Sequence, residues 1–221
     1  MIKVNSIKKV YGERTVLDVS SLEFRKGDIT VIVGPNGSGK STLLKILAGI
    51  IKADERDFIA DDKILYLPQQ SVPFTKTVEK NIYFSLEDTE NKEEKCREIL
   101  TELKLYSLKD KNARTLSGGE CQRLALARLL VNHCDFLILD EPSSAADIEG
   151  NELIEKALLS YKEKTGCGII MTTHSPLQAK SLADRIIMLH SGEVIEDGSA
   201  EEIFDRPKTV WSEKFISQWR I

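Results

Sequence analysis

Short runs of aliphatic and β-branched residues alternate along the chain with longer segments in which apolar positions recur at helical spacing. The short runs predict strands at residues 29–33, 63–67, 136–139, 168–172 and 185–189. The segments between them predict helices at residues 40–48, 120–132, 151–164 and 176–183. This alternation is typical of an α/β domain built on a mainly parallel sheet.

Both ends of the chain and one internal segment follow other patterns. The first 28 residues predict an antiparallel hairpin, with strands near residues 2–10 and 16–24. From Thr77 onward the chain becomes charged and helical, which predicts an inserted helical lobe at about residues 75–115. Trp211, Phe215 and Trp219 would form an aromatic stripe on a C-terminal helix at about residues 207–221. That stripe could pack against the parent domain or contact a partner.

Composition excludes several classes of protein. The chain has 221 residues, of which 41% are hydrophobic and 30% charged, which is ordinary for a globular domain with a substantial core. Its 31 Lys and Arg against 35 Asp and Glu leave no basic excess for nucleic acid, so no nucleic-acid partner is expected. No apolar run approaches the roughly 20 residues of a membrane span, and no signal peptide is visible, so a cytosolic protein is expected. The four cysteines form no C-x-x-C pair, which disfavours a zinc site or a disulfide framework.

Residues 34–41 match the pattern G-x-x-x-x-G-K-[ST] between a predicted strand and a predicted helix. In this pattern the glycines let consecutive backbone N–H groups surround phosphate oxygens, and the helix N-terminus adds partial positive charge. Lys40 is the predicted ligand of the β- and γ-phosphates, and the Ser41 hydroxyl is a predicted Mg²⁺ ligand. The residues of this phosphate-binding loop (P-loop) are Gly34, Pro35, Asn36, Gly37, Ser38, Gly39, Lys40 and Ser41.

The predicted strand at residues 136–139 ends in two carboxylates, Asp140 and Glu141. Alone, such a pair is as typical of a buried strand with a polar end as of a catalytic site. Next to a P-loop, a strand-end Asp suits a Mg²⁺-nucleotide, and the following residue can face a water at the γ-phosphate. We therefore predict Asp140 as the metal-side carboxylate and Glu141 as the base.

The segment Leu116-Ser117-Gly118-Gly119-Glu120 precedes an Ala- and Leu-rich helix and predicts a second anion-binding turn. A single nucleotide rarely needs two such turns from one chain. The segment resembles the LSGGQ signature of the ATP-binding cassette (ABC) ATPases, with Glu120 in place of Gln. The resemblance implies an α/β P-loop NTPase fold over residues 1–221. This fold has a mainly parallel core sheet, an N-terminal antiparallel β subdomain (1–28) and an inserted α-helical subdomain.

Other positions match the same family in order along the chain. Tyr11 resembles the aromatic residue that stacks on adenine, although it could instead pack on the hairpin. Gln69 resembles the glutamine that contacts Mg²⁺ and senses the membrane partner. The adjacent Gln70 is an alternative candidate for the same role. Residues 144–147, which end in Asp147, resemble the D-loop, and His174 resembles the switch histidine. The gap from residue 40 to residue 69 is shorter than is usual in this family, and residues 54–62 are acidic without a strand pattern. The antiparallel β subdomain is therefore expected to be smaller than usual.

The resemblance also implies roles, cofactors and partners. It assigns catalysis to Glu141, His174, Lys40 and Gln69, and metal binding to Ser41, Gln69 and Asp140. It assigns nucleotide contacts to Tyr11, to the P-loop through Thr42, and, across a head-to-tail dimer, to Ser117, Gly118, Gly119, Glu120 and Asp147.

ATP and Mg²⁺ are the implied cofactors. The implied partners are a second ABC subunit, separate transmembrane permease subunits and, in an importer, a solute-binding protein. The expected function is to power a prokaryotic importer from the cytoplasmic face of the cell membrane. An exporter ATPase subunit and a non-transport ABC ATPase are the alternatives.

Overall fold

The computed structural model describes residues 1–59, 62–87 and 90–219. Its strands are β1 (Ile2–Tyr11), β2 (Arg14–Phe24), β3 (Ile29–Val33), β4 (Glu55–Ile59), β5 (Ile64–Leu67), β6 (Phe136–Asp140), β7 (Gly168–Thr172), β8 (Arg185–His190) and β9 (Glu193–Ser199). Its α-helices are α1 (Lys40–Leu47), α2 (Val78–Ser85), α3 (Lys92–Glu102), α4 (Gly118–Leu130), α5 (Ile148–Thr165), α6 (Pro176–Leu182), α7 (Ala200–Asp205) and α8 (Val210–Trp219). Short 3₁₀ helices lie at Tyr106–Leu108 and Ala113–Thr115.

Six strands form the central sheet, in the order β5-β6-β7-β3-β8-β9. All neighbours pair in parallel except β8 and β9, which pair antiparallel. Strands β3, β6 and β7 are buried at every position because helices or the other sheet cover both faces, which explains their continuous apolar runs. The predicted α/β class with a mainly parallel core sheet is confirmed, and the carboxyl ends of β3, β6 and β7 meet at one edge of the sheet.

Successive side chains of the central strands point into two separate apolar cores. Leu137 and Leu139 of β6 belong to the core that α4, α5 and α8 cover. Phe136 and Ile138 belong to the core beneath α1 and the antiparallel sheet. This alternation is the two-residue period of a strand, and it makes the sheet the rigid middle layer from which the loops of the site emerge.

The antiparallel sheet has three strands, in the order β2-β1-β4. We expected this part to end at residue 28 and residues 54–62 to carry no strand, but β4 pairs with β1 from Lys3↔Ile59 to Lys8↔Glu55. Four of the five β4 residues are exposed, so the strand has no apolar alternation for the sequence to reveal. Backbone hydrogen bonds hold it there. Residues 60 and 61, at the end of the acidic segment, lie outside the described residues.

The segment between β5 and β6 is helical, as predicted from Thr77 onward. The Thr77 hydroxyl accepts a hydrogen bond from the Lys80 N–H at 3.2 Å and so caps α2. Helices α2 and α3 both pack on α4 through apolar side chains. Residues 88 and 89 lie outside the described residues, and the division of this segment into a separate lobe stays a prediction.

The aromatic stripe near the C-terminus packs on the parent domain. Trp211, Phe215 and Trp219 stack in a row, with ring centres 5.1 and 5.0 Å apart, against the core that contains the buried Ile216. Of the two alternatives that the sequence left open, the structure therefore shows the first, within residues 210–219. Residues 220 and 221 of the predicted tail lie outside the described residues. Across the described part of the chain, no helix combines the length and apolarity that crossing a bilayer requires.

Candidate nucleotide-binding site

The P-loop turns tightly between β3 and α1, and its glycines are required by both conformation and space. Gly34, Gly37 and Gly39 have φ angles of 149°, 77° and 102°. A Cβ on Gly39 would lie 2.8 Å from the Val16 carbonyl oxygen, and one on Gly34 would overlap the Leu189 carbonyl oxygen. Only glycine fits such positions without moving the backbone.

A turn between β8 and β9 supports this loop from behind. The Gly192 N–H donates to the Ser38 carbonyl at 3.0 Å, and the Gly192 carbonyl accepts from the Asp18 N–H at 2.8 Å. The sequence does not reveal this support, because it joins residues more than 150 positions apart. The loop is therefore held by the central sheet on one side and by β2 on the other.

The Lys40 ammonium lies inside the loop. Its Nζ donates to the carbonyl oxygens of Gly34 and Pro35 at 2.8 and 2.9 Å, and the residue is 7% exposed. Burial lowers the pKa of Lys40 from its ordinary value, while the carboxylates of Glu141 and Asp140 act in the opposite direction. A buried cation in a glycine-rich loop that leads into a helix N-terminus makes this loop suited to an anion.

Asp140 and Ser41 meet at the end of β6. The Ser41 hydroxyl donates to Asp140 Oδ1 at 3.1 Å, and the Thr172 hydroxyl donates to the same oxygen at 2.8 Å. Burial, followed by the effect of the Asp140 carboxylate, raises the pKa of Tyr66 to about 12. Hydroxyl and carboxylate oxygens are the ligands that Mg²⁺ prefers. The side chains present here therefore fit that ion.

Glu141 occupies the centre of the site. Its Oε2 accepts a hydrogen bond from Gln69 Nε2 at 3.0 Å, and its Oε1 lies 3.0 Å from His174 Nε2. Its φ angle is 51°, which is unusual for a residue with a side chain. The structure thus brings together three residues that the sequence places 72 and 33 positions apart.

One cavity of about 380 Å³ collects nine of the nineteen predicted site residues, from the P-loop, Gln69, Glu141 and His174. It lies at the carboxyl edge of the central sheet, where α/β folds bind ligands. Its lining residues are Val16, Asn36, Gly37, Gly39, Lys40, Ser41, Thr42, Gln69, Glu141 and His174.

Tyr11 does not line this cavity. It lies at the end of β1 and is 52% exposed, with Lys9 Nζ 5.0 Å from its ring centre. The adenine contact predicted for Tyr11 therefore stays a prediction.

The predicted second anion-binding turn lies elsewhere on the surface. The Ser117 hydroxyl caps α4 by accepting from the Glu120 N–H at 3.3 Å, and the Ser117 N–H donates to Glu120 Oε2 at 2.7 Å. Ser117 and Gly118 are exposed, and a Cβ on Gly119 would lie 3.2 Å from the Ala145 carbonyl. None of residues 117–120 lines the P-loop cavity, so one chain does not bring the two predicted halves of the site together.

Asp147 is also exposed and outside that cavity. Its Oδ1 accepts from the Gly150 N–H at 2.8 Å and so caps α5. This structural role and a contact to a second subunit are compatible.

Comparison with known proteins agrees with this geometry. The family model for ABC transporters matches residues 17–144, which contain the P-loop, Gln69, the signature segment and both carboxylates. The chain belongs to the ABC transporter family. This confirms the family that the signature segment and its neighbours predicted.

Curated relatives of this ABC protein are ATP-binding subunits of uptake systems. The tungstate uptake system ATP-binding protein TupC of Peptoclostridium acidaminophilum is 39% identical over 92% of this chain and 99% of its own length. The spermidine/putrescine import ATP-binding protein PotA of Mannheimia succiniciproducens is 33% identical over the whole chain. The chain spans only 64% of that PotA protein.

Solved ABC structures share the fold. A dimeric ATP-binding cassette in a post-hydrolysis state, bound to ADP and Pi, matches 90% of this chain with a TM-score of 0.80 and 28% identity. An ATP-binding subunit of an ABC transporter matches the whole chain with a TM-score of 0.86 at 21% identity, which supports the fold alone.

Two residues that contact Asp140 or Glu141 were not predicted as site residues. Thr172 lies opposite Asp140 in the β6–β7 register, and its hydroxyl accepts from the Glu141 N–H at 3.0 Å. Gln122 on α4 reaches the Glu141 carbonyl at 2.9 Å. A search for polar residues at the ends of neighbouring parallel strands would have found Thr172. The sequence does not point to Gln122 in the same way, because its hydrogen-bond acceptor is the backbone carbonyl of Glu141.

Proposed function

We propose that this chain binds and hydrolyses ATP and thereby powers solute uptake through a separate membrane permease. The observation that carries the proposal is the Glu141 carboxylate, which is held between Gln69 and His174 in the same cavity as Lys40 and Ser41. The uptake and import roles of the relatives support the direction of transport.

ATP binding follows from the shape and charge of the P-loop. The glycine turns aim backbone N–H groups at the phosphates, and the N-terminus of α1 adds partial positive charge. The Lys40 ammonium, buried behind the loop, offsets the charge of the β- and γ-phosphates. Thr42 lines the same cavity and is the last predicted phosphate contact of the loop.

Ser41, Asp140 and Gln69 are the residues that would hold Mg²⁺. When bound, the ion would offset the charge that develops on the phosphate oxygens. Thr172 keeps the Asp140 carboxylate oriented by donating to its Oδ1. The Gln69 side chain lines the same cavity as Ser41, and its amide donates to Glu141 Oε2 at 3.0 Å.

Glu141 is the general base in this proposal. With its two carboxylate oxygens fixed by Gln69 and His174, it can polarise a water that lies in line with the γ-phosphate. His174 is 46% exposed in its side chain and faces the same cavity, so it can also contact the γ-phosphate. A preoriented base and a fixed cation are the groups that phosphoryl transfer requires.

A second copy of the chain completes the site. Ser117, Gly118 and Gly119 form the N-terminus of α4; Ser117 and Gly118 are exposed, and none of the three lines the P-loop cavity. In a head-to-tail dimer, this turn and Asp147 of each subunit would cover the nucleotide held by the other. The dimeric, nucleotide-bound cassette among the structural neighbours supports this arrangement.

An exposed groove beside Gln70, lined by both apolar and polar side chains, suits a permease. It has a volume of about 350 Å³ and is lined in part by Gln70, Val72 and Arg128. Val72 and Phe84 are 76% and 67% exposed, and the Arg128 guanidinium lies 4.0 Å from the ring centre of Phe74. A short amphipathic helix of a membrane subunit would cover this surface. Because Gln70 follows Gln69, such a contact could be sensed at the catalytic site.

Glu141→Gln tests the catalytic half of the proposal. This variant keeps the side-chain shape but removes the base, so turnover should fall by at least about 100-fold while ATP affinity is retained. It should also accumulate an ATP-dependent dimer, measured by size-exclusion chromatography. Glu152→Gln, an exposed change on α5, is the matched control. Wild-type turnover in Glu141→Gln would overturn the assignment.

Co-purification in detergent tests the transport half. The expected result is that the multi-span membrane protein encoded beside this chain co-purifies with it. Val72→Asp should reduce the yield of that complex, whereas Val210→Asp, which is exposed on α8, should not. If no membrane protein co-purifies with the wild-type chain, the alternative of a non-transport ABC ATPase is favoured.

A further inference from the structure

Gln122 is a buried polar residue near the start of α4, only two residues after the signature segment. It is 7% exposed, and its amide makes two good hydrogen bonds. Nε2 donates to the Glu141 carbonyl at 2.9 Å, and Oε1 accepts from the Ala145 N–H at 2.8 Å. One side chain on the signature helix therefore joins both ends of the segment 141–145.

These contacts hold Glu141 in an unfavourable backbone conformation. A φ of 51° costs a residue with a Cβ about 1 kcal/mol or more. The peptide groups on both sides of Glu141 are fixed, because its N–H donates to Thr172 and its carbonyl accepts from Gln122. The Glu141 carbonyl also accepts from the Ser144 N–H at 3.2 Å, within the same segment. Gln122 supplies the contact from α4, and without it the backbone at Glu141 would be held less firmly and the carboxylate would shift from its place between Gln69 and His174.

We propose that Gln122 is a positioning residue that sets Glu141 for catalysis from the helix that carries the signature turn. Because α4 begins at that turn, contact with a second subunit could displace the helix. The Gln122 amide, which is bonded to the Glu141 carbonyl, would then move the catalytic carboxylate. The inference rests on the proposed function, since it requires Glu141 to be the base. It adds a coupling route between the signature turn and the base.

The chain offers a closely matched control in Gln178. This residue on α6 is also buried, at 2% exposure, and its Oε1 accepts from the Ser143 hydroxyl at 3.0 Å. It thus contacts the same segment but makes no hydrogen bond to Glu141 among the described residues. A change at Gln178 disturbs the packing of residues 141–145 but leaves the hydrogen bond from Gln122 to the Glu141 carbonyl in place.

Gln122→Glu is the discriminating variant. It keeps the volume and the acceptor for the Ala145 N–H, but it replaces the donor at the Glu141 carbonyl with an oxygen. We expect kcat to fall about 10- to 100-fold, because a misplacement of about 1 Å has that effect on a catalytic group. KM and the ATP dissociation constant should stay within about twofold of wild type. Gln178→Glu should change kcat by less than about threefold.

Two further measurements separate positioning from folding. If Gln122→Glu fails to fold, Gln122→Met removes the same donor without adding charge and takes its place. In the Glu141→Gln background, Gln122→Glu should cause no further loss of turnover, because the base that it positions is gone.

The outcomes are distinct. If Glu141→Gln retains wild-type turnover, the proposed function fails, and this inference fails with it. If Glu141→Gln is inactive but Gln122→Glu keeps wild-type kcat, only the positioning role is overturned. Equal losses of kcat in the Gln122 and Gln178 variants would show a general packing effect and would also overturn it.

Discussion

Gly168 lies opposite Phe136 in the β6–β7 register, and the chain leaves no room there for a methyl group. A Cβ on Gly168 would lie 2.5 and 2.7 Å from two ring carbons of Phe136 and 2.6 Å from the Arg25 carbonyl oxygen. Phe136 is fully buried and cannot swing into solvent. Gly168→Ala therefore inserts one methyl group into a packed core.

The expected destabilisation follows from two opposing effects. Overpacking a core costs about 1–3 kcal/mol. Replacing glycine with alanine restricts the unfolded chain and returns about 0.4–1 kcal/mol. The net loss should be about 1–2 kcal/mol, which lowers Tm by about 2–8 °C for a chain of this size.

A double-mutant cycle with Phe136→Leu isolates the steric cause. Leucine lacks the ring carbons that the methyl group meets, so Gly168→Ala should cost about 1 kcal/mol less in that background. Part of the cost should remain, because the Arg25 carbonyl belongs to the backbone. Urea unfolding gives the free energies. ATP affinity is the internal control and should stay within about twofold, since both residues lie at the strand ends opposite the site.

Two results would refute this reasoning. A Gly168→Ala variant as stable as the wild type would show that the core accommodates the methyl group without loss of stability. An equal cost of Gly168→Ala in the wild-type and Phe136→Leu backgrounds would show that the ring is not the obstacle.

Two further predictions concern charges at the surface. Glu120→Gln keeps an acceptor for the Ser117 N–H but removes a negative charge from the N-terminus of α4, so stability should fall by about 0.3–1 kcal/mol. The same change removes repulsion toward the nucleotide of a second subunit. It should therefore lower the ATP concentration needed to dimerise the Glu141→Gln variant, and weaker dimerisation in size-exclusion chromatography would contradict this. Lys26 contacts Asp135 at 2.6 Å, and this hydrogen bond is the largest cause of the lowered pKa of the Asp135 carboxyl. The stabilisation from this pair is present above the ordinary carboxyl pKa of 3.8 and is lost as the pH falls through the lower pKa of the folded protein. In Lys26→Met, the free energy of unfolding measured with urea should therefore decrease less steeply below about pH 4 than in the wild type. An unchanged pH dependence would count against the ion pair.

The P-loop half of the candidate site was predictable because its residues are contiguous. The spacing from Gly34 to Ser41 places three glycines where the loop adopts positive φ. Asp140 and His174 were predictable for a related reason, since each follows an apolar strand and parallel strands end at one edge. The structure places all of these residues where the strand-end argument requires.

Other features left no pattern in the chain. Strand β4 is mostly exposed and β9 is polar, so neither shows the apolar alternation by which strands are recognised. The bond from Gln122 to the Glu141 carbonyl uses a backbone acceptor that every residue possesses. Sequence spacing cannot identify such a partner.

The sequence by itself determined the central strands and most helices, the family and the types of chemical group at the site, because local periodicity and short motifs carry that information. Only the tertiary structure decided which groups meet. It places Glu141 between Gln69 and His174, supports the P-loop with the turn at Gly192, and leaves the signature turn outside the P-loop cavity. The physical reason is that these contacts join distant segments, whose approach depends on how the two cores pack against the central sheet.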